Sequence, residues 1–169
     1  MASSRHSLPC SYARGVLRSI VGFAADDVGD WVALLACHHR QHVRHRPPLR
    51  PAPWVEDQSE RDRRIGTTLN CPLCDRCELP DGLIVVRTTA TWDERTMPDA
   101  LRRAHRVASG TWGRLRVEDG SLRFVARTDP ITDVIVESDL PQSIPPDVEH
   151  HIEPQGPTRF AIEFLGSKS

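Results

Sequence analysis

Long apolar runs are missing from this chain of 169 residues. No stretch of about 18 or more apolar residues occurs, so nothing in it reads as a membrane-spanning helix. Aromatic residues are scarce, at 5%, and the hydrophobic fraction is a modest 38%. An excess of charge of either sign is also absent. The formal net charge is −1, which argues against a nucleic-acid or membrane-surface binder. Residues 1–19 carry Arg5, Arg14 and Arg18 but lack the continuous apolar core of a secretory signal. The expectation is a disordered lead-in and a cytoplasmic protein. The length suits one ordinary domain or two small ones.

Proline and cysteine are what the chain has. Fourteen prolines, several of them clustered, favour loops and β-structure over long helices. Five cysteines in a cytoplasmic chain serve more readily as metal ligands or free thiols than as disulfides. Cys10 stands alone in the tail and reads as a bystander. The others form a pattern: Cys37-His38-His39, then a proline-rich loop, then Cys71-Pro72-Leu73-Cys74. Thiolate and imidazole suit zinc, and four such ligands close a tetrahedral structural site. On an extended segment Cys37 and His39 would point the same way. We take Cys37, His39, Cys71 and Cys74 as the preferred four, with His42 and Cys77 as alternates and His38 and His45 also within reach. The shell is closed and no carboxylate adjoins the knuckles, so the zinc is structural and not catalytic. It would staple a segment too small to build a full core. Arg40, Arg44, Arg46 and Arg50, with Trp31 and Trp54 nearby, read as a solvated face, because Glu56, Asp57 and Glu60 follow and offset their charge.

Apolar patterning predicts strands at Ile20–Phe23 and Trp31–Ala36, joined by Asp26-Asp27-Val28-Gly29-Asp30 as a turn. A short helix is predicted over Glu56–Ile65, with Ser59 as N-cap. Leu79-Pro80-Asp81-Gly82 marks a break, giving a tail at 1–19, a Cys/His module at 20–78 and a second domain at 79–169. The second domain reads as all-β: an apolar run at Leu83–Val86, one helical turn within Met97–Arg103, and strands at Ile131–Val136, Glu149–Ile152 and Arg159–Phe164. Arg114–Glu118 and Leu122–Val125 read as a hairpin through Asp119-Gly120, with Leu115, Val117, Leu122 and Phe124 on its buried face. Short strands with Gly and Pro punctuation suggest a sandwich or small barrel.

Two resemblances follow from residues in order. Ile20-Val21-Gly22-Phe23, Asp30-Trp31-Val32-Ala33, Cys37-x-His39, Pro53-Trp54-Val55, Ile65-Gly66 and Cys71-Pro72-Leu73-Cys74 resemble a small uncharacterised bacterial domain. That domain usually reads Cys-Gly-His where this chain has Cys37-His38-His39. The second set is Leu79-Pro80-Asp81-Gly82-Leu83, Met97-Pro98, His105, Gly110–Leu115, Glu118–Phe124, Ile144-Pro145-Pro146, His150 and Phe160–Phe164. It resembles the cupin-like domain of TehB-type tellurite-resistance proteins. That resemblance implies a double-stranded β-helix, or jelly roll, and a link to tellurite, oxyanion or oxidative-stress tolerance.

Cupins hold a divalent metal on histidines and a carboxylate, so the resemblance points to His105, His150 and Glu163, with Trp112 beside the pocket. Val107 stands where a second first-strand histidine would be. Alternation turns Glu163 away from a core built of Phe160, Ile162 and Phe164. The glycine-rich loop of an S-adenosylmethionine-dependent methyltransferase is absent, so methyl transfer is not expected. The leading expectation is a non-methylating protein that binds a metal or a small anionic ligand. The alternatives are a metal-dependent oxygenase or isomerase, and an interaction module. Cupin-like sheets often pair, so a homodimer is a further expectation.

Overall fold

A computed structural model describes residues 15–43 and 52–168. Cys10, most of the expected tail, His45 and Arg44, Arg46 and Arg50 of the basic, proline-rich loop lie outside them. The front half is a four-stranded antiparallel sheet. It comprises β1 (Leu17–Ala25), β2 (Trp31–Leu35), β3 (Arg40–His42) and β4 (Thr68–Asn70), in the order β3-β2-β1-β4. Strand β1 begins at Leu17, inside the expected tail, because pairing with Asn70 of β4 continues it past Ile20. The β1–β2 turn closes on Asp26, whose carboxylate accepts from the Val28 and Asp30 amides.

A 3-10 turn at Pro53–Glu56 leads into α1 (Gln58–Arg64). Its N-cap is Asp57, which accepts from the Glu60 amide at 3.0 Å. Ser59 sits one position inside the helix and donates to Asp57. Arg61 and Arg64 lie 3.7 and 3.9 Å over the Trp31 and Trp54 rings, so the helix is held by cation–π contacts. The short helix α2 (Pro72–Asp75) follows β4.

The remaining elements are β5 (Ile84–Thr88), β6 (Trp92–Asp93), α3 (Asp99–Arg102), β7 (Trp112–Asp119), β8 (Leu122–Ala126), β9 (Thr132–Val136), β10 (Gln142–Ile144), β11 (His150–Pro154) and β12 (Arg159–Gly166). They make two antiparallel sheets. One has the order β10-β7-β12-β5, with β6 also on β12; the other has the order β11-β8-β9. The protein is mainly β, as expected.

The predicted hairpin is not one. Strand β7 pairs with β10 and β12, whereas β8 pairs with β9 and β11, so Asp119-Gly120 carries the chain from one sheet to the other. Gly120 has φ +75, and a Cβ there would sit 2.3 Å from the Pro157 carbonyl oxygen. Alternation identified the buried face correctly, since Leu115, Val117, Leu122 and Phe124 share one core with Phe160 and Ile162. They meet across the space between sheets, not along a ladder.

A second core joins front to back. Ile20, Leu35, Cys37, Cys71 and Cys74 pack with Trp112 of β7 and Leu165 of β12. Among the described residues no helix is long and apolar enough to cross a membrane.

Candidate metal centre and interior cavity

Four ligand atoms converge where the two halves meet. Cys37, His39, Cys71 and Cys74 are all buried, and their ligand atoms lie within 4.8 Å of one another. Cys37 and His39 converge through a turn and not through an extended strand. After β2 the chain folds back, with the His38 amide donating to Leu35 and the Leu35 amide to His39. His38 takes φ +69 at that turn, a conformation that favours glycine. This explains why the resembling domain has glycine there, and here the His38 ring N–H donates to the Gly110 carbonyl at 2.8 Å. Cys71 is the N-cap of α2, Pro72 begins the helix, and one turn brings Cys74 round beside Cys71.

The spacing fits one metal ion. His39 Nδ1 is 3.4 Å from Cys37 Sγ, 3.3 Å from Cys71 Sγ and 3.7 Å from Cys74 Sγ, and Cys37 Sγ is 3.8 Å from Cys71 Sγ. A tetrahedron with metal–sulfur bonds of about 2.3 Å and a metal–nitrogen bond of about 2.0–2.1 Å has edges of about 3.5–3.8 Å.

The surrounding groups favour charged sulfur. His39 Nε2–H donates to the Glu78 carbonyl at 2.9 Å, leaving Nδ1 as the free lone pair. Arg18 is 7% exposed; its Nε–H donates to Cys74 Sγ at 3.3 Å and its terminal nitrogen to the Pro146 carbonyl. Trp112 Nε1–H donates to the Cys37 carbonyl at 2.9 Å, and the His39 ring meets the Trp112 face edge-on. Hydrogen bonds from the Cys71 and Cys74 thiols hold the Cys37 thiol well below its ordinary pKa, which favours the thiolate that a metal takes as ligand. Contact with Cys37 pushes the Cys74 thiol up in turn.

The alternates lie elsewhere. His42 Nε2 pairs with Asp26 at 3.0 Å near the surface. Cys77 sits in the core against Thr132, with its thiol pushed up by burial.

Between the two sheets of the back half lies a cavity of about 240 Å³. Trp92, Leu101, Val107, Ile144, Ile162 and Phe164 form most of its wall, and Arg87, Thr89, His105 and His150 bring polar atoms to it. His105 and His150 are joined by paired backbone hydrogen bonds of 2.9 Å, and their rings meet edge to face at 5.5 Å. His150 Nδ1–H donates to the Val148 carbonyl at 2.9 Å, and burial lowers the imidazole's pKa, which favours the neutral ring.

Two residues expected here are not. Glu163 turns to the other face of β12, where it pairs with Arg114 at 2.6 Å and Arg116 at 3.1 Å. Trp112 is fully buried against the metal cluster and does not line the cavity. The described residues therefore place no carboxylate with His105 and His150 to complete a metal shell.

Sequence reasoning passed over Arg18 and Arg87. Arg18 shares the buried face of β1 with Ile20, so the same alternation would have flagged a buried cation, though not that Cys74 lies against it. Arg87 ends an apolar run and carries no comparable signal. Among the described residues it is the arginine with no hydrogen bond or ion pair, its guanidinium resting 4.4 Å over the Phe164 ring.

Residues 87–162 match the family model described as "TehB-like domain", and residues 21–78 match "Protein of unknown function (DUF3565)". No curated protein matches the sequence. The crystal structure of a protein from E. coli (strain K12) is similar at 24% identity and a TM-score of 0.50, covering 54% of this chain and 97% of that one. At that identity the likeness concerns the fold alone. TehB from Haemophilus influenzae is 23% identical with a TM-score of 0.47, over 52% of this chain and 32% of that one. This chain thus spans about a third of TehB's length. It carries a TehB-like domain at residues 87–162, preceded at residues 21–78 by a domain of the DUF3565 family of unknown function.

Proposed function

We propose that this protein binds a small anionic ligand in a cupin-type cavity and that a structural zinc ion fastens the front of the molecule to that cavity's scaffold. The observation that carries the reading is the cavity between the sheets: apolar on most sides, approached by two histidines, and accompanied by an arginine that has no carboxylate partner among the described residues. Concave, mostly apolar sites with a few convergent polar groups are the usual form of small-molecule sites. Zinc suits the cluster because three sulfurs and one imidazole at tetrahedral spacing are its preferred donors, and four protein ligands leave no position for substrate. The zinc therefore supplies cross-linking, not catalysis. The TehB-like domain associates the protein with tellurite or oxyanion tolerance.

Elemental analysis of the purified protein, beside Cys74→Ser and His150→Ala variants, tests the metal assignment. The expected result is about one zinc per chain, lost in Cys74→Ser and retained in His150→Ala. A second metal that disappears with His150→Ala would replace the ligand cavity by a metal site. Calorimetric titration with small anions tests the cavity. The absence of any saturable binding that depends on Arg87 or His150 would refute it.

A further inference from the structure

A second hollow adjoins the cavity and shares Arg87, His105, Val107 and Phe164 with it. Those residues therefore mark where the cavity opens. The polar groups deeper inside are largely spoken for. The Thr89 hydroxyl donates to the Ala90 carbonyl and accepts from the Ile162 amide. The Nδ1–H of His150 is taken by the Val148 carbonyl, and the neutral ring's other nitrogen is an acceptor, not an anion donor.

An inorganic oxyanion placed among Trp92, Leu101, Ile144 and Ile162 would lose its water without gaining donors, a large cost for a charge. At the opening the balance reverses. The Arg87 guanidinium sits 4.4 Å over the Phe164 ring and donates to no group among the described residues, and carboxylates match a guanidinium edge in a bidentate fashion. The Arg106 guanidinium beside it is engaged with Glu149. The inner cavity is about 240 Å³ and the hollow at its mouth about 530 Å³, so the inner part takes only a small apolar group while the charged end sits in the wider, more open part.

We infer that the cavity's ligand is a small organic monocarboxylate, its apolar ring or short chain among Trp92, Leu101, Ile144 and Ile162 and its carboxylate at Arg87 beside His105. This rests on the reading of the cavity as a ligand site and narrows it from any anion to an amphipathic one. Tolerance of an oxyanion would then run through an organic ligand, and the cavity would not hold the oxyanion itself.

Isothermal titration of the full-length, metal-loaded protein at fixed pH and ionic strength tests this, with benzoate, hexanoate, benzamide and tellurite as probes. The expected result is saturable binding of benzoate or hexanoate, weakened about 10- to 100-fold in Arg87→Ala and by a similar factor for uncharged benzamide. Arg87→Lys should recover part of the loss. Arg87 is exposed and its side chain makes no hydrogen bond among the described residues, so losing its contact with Phe164 should lower the melting temperature by no more than about 2–4 °C, which is measured alongside. Binding of tellurite but not of either carboxylate, lost in Arg87→Ala, would overturn this inference and leave the ligand cavity standing. Carboxylate binding indifferent to Arg87 would overturn it too. Binding by none of the four probes would overturn both.

Discussion

Removing the metal should soften the whole molecule at once. The four ligands are buried in the core that also holds Trp112 and Leu165, so loosening the cluster uncovers strands of the back sheet. A ligand that binds only the folded chain stabilises it by RT ln(1 + [L]/Kd), about 4 kcal/mol when free metal stands 1,000-fold above Kd. For a chain of about this length each kcal/mol moves the melting temperature by roughly 2–4 °C. Chelation should therefore lower it by roughly 8–16 °C, and zinc added back should restore it. Scanning calorimetry of the wild type with and without a chelator measures this. Cys74→Ser should melt low from the start and ignore the chelator, having lost a ligand and the Arg18 contact to its sulfur. The expected trace is one transition that shifts. If a front transition moved while a back transition stayed fixed, the shared core would not couple the halves. If the wild type carried metal yet melted at the same temperature after chelation, the structural assignment would be wrong.

Three further outcomes follow from the geometry. At His38, with φ +69, replacement by glycine relieves backbone strain but loses the bond to Gly110, so His38→Gly should be near neutral and His38→Ala about 1–2 kcal/mol less stable than His38→Gly; equal denaturation midpoints for the two variants would count against the turn's conformation. Glu163→Gln breaks the pairs with Arg114 and Arg116 and should cost about 1–2 kcal/mol in urea denaturation while leaving metal content unchanged, whereas loss of metal would return Glu163 to a ligand role. Burial lowers the His150 pKa, so below about pH 6.5 the unfolded chain takes up the proton first. Its stabilising contribution is complete above that pH and is lost as pH falls through the folded value, so melting temperature should fall less steeply between about pH 7 and pH 5 in His150→Gln, and an identical slope would contradict the assignment.

The metal centre was legible because thiol and imidazole spacing is local: Cys71 and Cys74 are brought together by one helical turn, and Cys37 and His39 by one reversal of the chain. Spacing also favoured His39 over His42 and Cys74 over Cys77, as found, but it could not show the turn at His38 that carries His39 inward. The strand pattern of the back half was also readable. Alternation reports which side of a strand is buried, and Leu115, Val117, Leu122 and Phe124 are all in the core. It does not report the neighbour, which is why β7 and β8 looked like a hairpin and belong to different sheets. Trp112 was misplaced for the same reason. A tryptophan at the start of a strand can face either side of the junction, and this one packs against the Cys/His cluster.

Arg18 ties two segments of the chain together. Its guanidinium touches a thiol in the DUF3565 segment and the Pro146 carbonyl in the TehB-like segment, four residues before His150 in the chain. Trp112 makes the reverse crossing, from the TehB-like segment to the Cys37 carbonyl. The borders of the matched segments therefore do not coincide with the borders of the packed cores. A fragment of residues 87–162 alone would uncover the Trp112 side chain and lose β5 up to Val86, and one of residues 21–78 alone would lack Arg18 beside Cys74 altogether. What reads in the sequence as a junction between two segments is, in the fold, shared interior.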